Sequence, residues 1–149
     1  MATGAVGVTL FHQNNKHMFT LEQLKAAHAK VKTGADFPRY IQEIKALGLV
    51  TYIYNVADGS TAYYGDNNHQ MSAPAIYPAK VINTEASADQ LRHTIAVHQQ
   101  GQTDFLTFCT QAAAAGVKQW VIDTVKMACI YQDINGNNMV VEPIPEENY

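Results

Sequence analysis

Two residues that could support catalysis, His98 and Cys109, lie in otherwise apolar stretches of the chain. An imidazole can act as a general base near neutral pH, bind an anion when protonated, or activate a thiol that the fold brings close to it. Asp104, Asp123 and Trp120 follow in the same segment and would orient the imidazole or line a pocket. His98, Cys109 and Asp123 are therefore the candidate catalytic residues, with Asp104 and Trp120 as candidate binding residues. The alternative is a buried histidine bonded to a backbone carbonyl, beside a cysteine that only packs.

The histidine spacing does not predict a metal site. His93 and His98 are five positions apart, which on a helix turns them roughly 140° away from each other. Neither a GxGxxG nor a GxxxxGK motif occurs. We therefore expect no metal and no cofactor.

Aromatic side chains form a third group of candidates. Tyr52, Tyr54 and Tyr63 fall on or near one face of a predicted first hairpin, and Trp120 and Tyr131 hold similar places in a second. Tyrosine and tryptophan are enriched at interfaces because they combine an apolar body with a polar tip. Tyr52, Tyr63, Trp120 and Tyr131 are thus candidate binding residues, and the alternative is that they are core aromatics under helices.

Composition restricts the class of protein. The chain has 149 residues, 47% of them hydrophobic and 15% charged, which is typical of one globular domain. Ten Lys and Arg against 13 Asp and Glu give a net charge of −3, which disfavours general nucleic-acid binding. No run is long enough for a membrane span, no basic signal-peptide region precedes the mildly apolar start, and Cys109 and Cys129 show no metal spacing. We expect a cytoplasmic protein with free, buried thiols.

Four helices and two sets of strands follow from the periodicity. Thr20 and Asp36 start two helices that end at Gly34 and Gly48, and a period of two then predicts strands at 49–56 and 61–64 around Asp58-Gly59. The stretch 66–74 is predicted as loop and 76–83 as a third strand. Ser87 and Thr103 or Asp104 start two further helices that end at Gly101 and Gly116. Strand material at 117–132, bent near 123–124, and a last strand at 139–142 follow around Asn135-Gly136.

The second half of this pattern resembles the first. Residues from Ser87 align with residues from Thr20, and the matched pairs are Gln23 with Gln90, Leu24 with Leu91, Gly34 with Gly101, Gly48 with Gly116 and Tyr52 with Trp120. In this alignment His98 replaces Val31 and Cys109 replaces Ile41. We predict an α+β, two-layer domain built from an internal duplication, helix-helix-strands twice, with a mostly antiparallel sheet of about six strands and about four helices. The predicted domain spans 19–145 (repeats about 19–84 and 85–145), after a leader or flexible arm at 1–18 and before an acidic tail at 146–149.

Several strings in order along the chain carry a family resemblance: GADFPRYI, DGSTAYYG, HQQGQTDFLTFC, AGVKQWVID, and IYQDINGN leading to EPIP. They resemble the bacterial and prophage family called domain of unknown function 1398 (DUF1398), whose members are often labelled phage envelope proteins. The resemblance covers about Phe19 to Pro145. It implies an α+β domain of bacterial or phage origin and no catalytic residues.

Three hypotheses for function follow. The first is a non-enzymatic binding or interaction module of bacterial or prophage origin that forms a homo-oligomer or binds an unknown protein. The second is a small hydrolase or transferase that uses His98 with Cys109 or Asp123. The third is a small-molecule effector binder with a pocket at the seam between the repeats.

Overall fold

A computed structural model describes residues 18–146, and within this range the chain forms four α-helices and six strands. In chain order they are α1 (Leu21–His28), a 3₁₀ turn (Gly34–Asp36), α2 (Phe37–Ala46), β1 (Leu49–Asn55), β2 (Thr61–Gly65), β3 (Gln70–Ala73), α3 (Ala88–Gln99), α4 (Phe105–Ala114), β4 (Gln119–Asp123), β5 (Ala128–Gln132) and β6 (Asn138–Pro143). The predicted arm and tail lie outside the described residues apart from Met18 and Glu146. None of the described helices has the length and apolar character that crossing a bilayer requires.

The six strands form one antiparallel sheet in the order β3-β2-β1-β4-β5-β6. The predicted α+β class, with four helices and a six-stranded antiparallel sheet, is confirmed. The order is symmetric about the β1–β4 pair, which places the first strand of each half at the centre of the sheet. The internal duplication and the domain boundaries remain predictions.

Three helices begin where the sequence predicts, because a side chain accepts a hydrogen bond from a backbone N–H that the first turn leaves without a partner. Thr20 forms a capping box with Gln23, Ser87 accepts from the N–H of Gln90, and Asp104 accepts from the N–H of Thr107. Asp36 precedes α2 but makes no capping bond to it. Its carboxylate instead accepts from the N–H groups of Lys32 and Thr33.

The first helix is shorter than the predicted 20–34. It ends at His28, and the N–H groups of Lys30 and Val31 bond three residues back, in tighter turns. Gly34 does not cap this helix; it begins the 3₁₀ turn and lies against the end of α3. A Cβ at Gly34 would lie 3.1 Å from the carbonyl oxygen of His98, so this glycine permits a close approach between the two halves of the chain.

The third strand was predicted in the wrong place. β3 lies at 70–73, within the predicted loop, and 76–83 forms no strand. Asn67 and Asn68 take φ of 58° and 62°, which suits a tight hairpin turn and brings the chain back onto β2 straight away. Further on, the N–H groups of Ile76 and Lys80 donate to the carbonyls of Asp58 and Ala57, and Pro74 and Pro78 have no N–H to donate.

The helices cover one face of the sheet. Side chains of a strand alternate between faces, and in the central strands the even-numbered ones, such as Tyr52 and Trp120, belong to the buried core together with helix residues such as Ile41 and Leu91. The odd-numbered Ile53 and Val121 belong neither to this core nor to the partly buried residues packed against it. The sheet therefore has one face covered by the helices and one face outside the core.

Candidate functional site

His98 lies at the end of α3 and is half-buried. Its Nδ1 is 3.0 Å from the carbonyl oxygen of Thr103 and 3.1 Å from the hydroxyl oxygen of Thr103. Because a carbonyl only accepts, Nδ1 carries the proton in this bond. The ring stacks on Phe108 with centroids 4.6 Å apart, and this burial lowers the pKa of the imidazole, while the Thr103 bond and the Asp104 charge oppose the shift. The ring fixes the loop between α3 and α4.

Cys109 is fully buried in α4, and its thiol lies at the end of a chain of hydroxyl groups. Its Sγ is 3.4 Å from the Tyr54 hydroxyl, which is 3.2 Å from the Tyr77 hydroxyl, which donates to the Val56 carbonyl at 2.7 Å. The carbonyl fixes the direction of the protons: Tyr77 donates to Val56, Tyr54 to Tyr77, and Cys109 to Tyr54. Burial raises the pKa of Cys109 and of Tyr54, so the thiol stays protonated and is a poor nucleophile.

The two candidate carboxylates cap local structure. Asp104 accepts from the N–H of Thr107 at 2.7 Å, and hydrogen bonds from Thr107 lower its pKa. Asp123, at the end of β4, accepts from the N–H groups of Val125 and Lys126 at 2.9 and 3.0 Å. Among the hydrogen bonds of residues 18–146, none joins His98 to Cys109 or to Asp123.

The candidate aromatic residues lie under the helices. Tyr52, Trp120 and Tyr131 are buried, and Tyr63 is half-buried beside Tyr52. Trp120 stacks on Tyr54 with centroids 4.3 Å apart and planes 11° apart. These rings lie in the core or pack against it, which is the alternative to a binding role that was given for them above.

The seam between the helix pairs is closed by ring contacts. His28 lies edge-on to Tyr40 and Phe105, with centroids 5.3 and 5.9 Å apart. A separate shallow depression of about 330 Å³ lies between α1 and α2, where Lys30 bridges to Glu43 at 2.5 Å. In the part of the chain that the structure describes, no three His, Cys, Asp or Glu side chains are grouped as a metal site would need.

The face of the sheet opposite the helices, which we name the open face, carries a continuous row of aliphatic side chains. The strand pairing places them side by side across the sheet, and from β2 to β6 this apolar row consists of Ala62, Ile53, Val121, Ile130 and Val141. Ser72 on β3 continues the row at its narrow end. Val141 is 56% exposed, and the other four members of the row are partly buried. A contiguous apolar surface on a sheet face marks an interaction site more often than an isolated apolar residue does.

Polar side chains flank the apolar row on both sides, and several of them already bond within the chain. Gln119 donates to Gln132 at 2.8 Å and Gln132 donates to Asn138 at 3.1 Å, which forms an amide ladder across β4, β5 and β6. On the other side the Thr51 hydroxyl donates to the Ile122 carbonyl at 2.7 Å. These internal hydrogen bonds reduce the free-energy cost of removing water from the open face, because the bonded donors and acceptors keep their partners.

Sequence reasoning noted the alternation in β1 but missed the apolar row. Its members are ordinary aliphatic residues on five strands, and only the register of the strands makes them neighbours. The sequence does place a β-branched residue in the middle of β1 and of β4. These residues are Ile53 and Val121, next to the candidate aromatic residues.

One family model matches the chain, described as a protein of unknown function (DUF1398), and the match spans residues 25–143. No curated protein matches the sequence. The match covers most of the chain, including all six described strands, the helices α2, α3 and α4, and the second half of α1. The chain therefore belongs to the DUF1398 family of proteins of unknown function.

Proposed function

We propose that this protein is a non-enzymatic interaction module and that it binds another protein surface through the open face of its sheet. The observation that carries the proposal is the apolar row, which crosses five strands without a helix over it in the described chain. The backbone beneath it is fixed by ladder bonds on both sides of the central strands. Such a face is preorganised, so binding costs little conformational entropy.

The state of the catalytic candidates supports the same proposal. His98 holds a loop carbonyl, Cys109 donates into a buried hydroxyl chain, and Asp123 caps a turn. A nucleophile, a base and an orienting carboxylate need to converge on one substrate position. Each of these three groups has a different local task, which favours a structural role for all of them.

Family membership supports the bacterial or prophage origin in the proposal, and it supplies no mechanism. The resemblance to proteins labelled phage envelope proteins points to a bacterial or prophage origin, and the composition favours a cytoplasmic location. An interaction module fits this setting without requiring a reaction. The label itself names no partner for this chain.

A thermal-shift screen against metals, nucleotides and common metabolites tests the non-enzymatic part of the proposal. A ligand at a hundred times its Kd adds about 2.7 kcal/mol to the free energy of unfolding, which is about 5–11 °C in Tm for a domain of this size. We expect no compound to raise the Tm. His98→Ala and Asp123→Asn serve as companions: a stabilising compound that loses its effect in either folded variant would overturn the proposal in favour of a catalytic or small-molecule site.

A further inference from the structure

We infer that the occupant of the open face is a second copy of this chain, packed sheet against sheet about a twofold axis that crosses the apolar row at the Ile53–Val121 pair. This inference rests on the proposed function and names its partner. Sheets that pack face to face lie about 10 Å apart with their inner side chains interdigitated. A twofold axis between the sheets makes the contact isologous, so the same residues serve on both sides.

The charges of the open face fit a second copy. In an isologous contact every charged residue near the axis meets its own like charge, so a self-binding face has to be nearly uncharged. In the described strands the side chains on this face include one carboxylate, Asp123, and no Lys or Arg. Asp123 is bonded to two backbone N–H groups. A face without cationic side chains also gives phosphate groups of nucleic acid or lipid nothing to pair with.

The sizes of the row residues fix the orientation of the two copies. The row is narrow at its β3 end, with Ser72 and Ala62, and bulky at its β6 end, with Ile130 and Val141. An axis that crosses the row at its centre reverses one copy against the other. The bulky end of each copy then lies over the narrow end of its partner, which fills the interface evenly.

The flanking polar groups make this burial inexpensive. The amide ladder Gln119–Gln132–Asn138 and the Thr51 hydroxyl keep their hydrogen bonds inside one chain when water is displaced. A buried polar group is costly when it is left without a partner. A second sheet can therefore cover the bonded groups at reduced cost, while the Gln119 carbonyl and the Asn138 amide N–H groups, which lie outside the ladder bonds, still need water or a partner at the rim.

The first experiment is the mass of the full chain in solution, by light scattering over a concentration series, for wild type and two matched variants. Val141 on the open face and Leu106 on α4 are both 56% exposed, so Val141→Lys and Leu106→Lys change equally accessible positions. We expect a dimer for wild type and for Leu106→Lys. Val141→Lys should weaken dimerisation about tenfold or more, because a lysine would be desolvated against the narrow end of the partner copy, at Ser72.

The second experiment tests the orientation by joining introduced cysteines with a short bis-maleimide cross-linker, because sheets about 10 Å apart hold facing Cα atoms too far apart for a disulfide. Val121→Cys lies beside the proposed axis and should be joined to its own copy, whereas Val141→Cys lies far from the axis and should not. The native Cys109 and Cys129 are buried and serve as a silent background. Cross-linking at both positions, or at Val141→Cys alone, would overturn the proposed orientation.

A wild-type chain that stays monomeric at every concentration would overturn the second copy as occupant. Maleimide labelling of Val141→Cys in that monomer then shows the state of the face: rapid labelling means that it is open to solvent, and protection means that another part of the chain covers it. Neither result depends on His98, so failure of this inference is distinct from failure of the proposed function, which a ligand lost in His98→Ala would signal. A dimer that Val141→Lys and Leu106→Lys leave equally intact would also overturn it.

Discussion

Neighbouring residues of the same strands lie on opposite faces of the sheet, and the two faces differ in burial and in residue type. On the covered face Tyr54 stacks on Trp120 beneath the helices, and both are buried. One residue away, Ile53 and Val121 pair on the open face outside the core. Rings with polar tips, the expected interface residues, build the core, and plain aliphatic residues face outwards. Residue type alone therefore did not indicate which side chains lie in the core and which lie on the open face.

The largest expected effect is a difference in the free energy of unfolding between substitutions on the two faces. Trp120→Ala should lower the free energy of unfolding by about 3–5 kcal/mol, because it leaves a cavity among Tyr54, Phe105 and Phe108. Val121→Ala, its neighbour on the open face, should cost about 1 kcal/mol, since it removes two half-buried methyl groups. Urea denaturation at one fixed protein concentration measures both. Equal losses would show that the open face is packed as tightly as the core.

A smaller effect is expected from the hydroxyl chain on the covered side. Tyr54→Phe removes the acceptor of the Cys109 thiol and the donor to Tyr77, which should cost about 1–3 kcal/mol. Tyr77→Phe breaks the same chain at the Val56 carbonyl. Because the hydroxyls depend on each other, the double variant should lose less than the sum of the single variants by about 0.5 kcal/mol or more. Additive losses in this double-mutant cycle would mean that the hydroxyls act independently.

The smallest effect is a pH dependence from His98. Its pKa is lowered from its ordinary value of 6.5 in the folded chain, chiefly by burial. Between 6.5 and the lower folded pKa the unfolded chain binds more protons, so stability falls as the pH decreases through this window. His98→Asn keeps an N–H near the Nδ1 position but does not titrate, and should make this slope shallower, while His28, whose pKa burial also lowers, keeps its own contribution.

The matched control for the pH experiment is His93→Asn, which changes an exposed histidine of the same helix. Urea midpoints measured from pH 7 downwards should show wild type and His93→Asn with the same slope and His98→Asn with a shallower one. A slope that His98→Asn leaves unchanged would assign the pH dependence to another group.

Much of the fold was accessible from local sequence signals. Thr20, Ser87 and Asp104 act as helix caps as predicted, because a cap depends on residues three positions apart. The errors fall where distant contacts decide. The Asn67-Asn68 turn starts β3 earlier than the apolar run at 76–83 suggested, and Gly34 lies against α3 instead of ending α1.

The candidate site was less accessible, for a related reason. The histidine, cysteine and aspartate were found by type, but the bonds that occupy them come from Thr103, Tyr54 and a local turn. Of these bonds, only those of Asp123 join residues two or three positions apart. The Tyr54–Cys109 contact joins β1 to a helix 55 residues away, and no spacing rule in the chain reaches that far.

Short-range signals in the sequence were enough for the α+β class, three helix starts and the family, because caps, periodicity and motifs act over a few residues. Tertiary structure alone decided which strands become neighbours, and therefore that Ala62, Ile53, Val121, Ile130 and Val141 form one row. Strand register depends on hydrogen bonds between residues up to about 70 positions apart, such as Ile53 and Val121, and on which face the helices bury. That choice turned ordinary aliphatic residues into the one continuous apolar surface found on the open face of the described sheet.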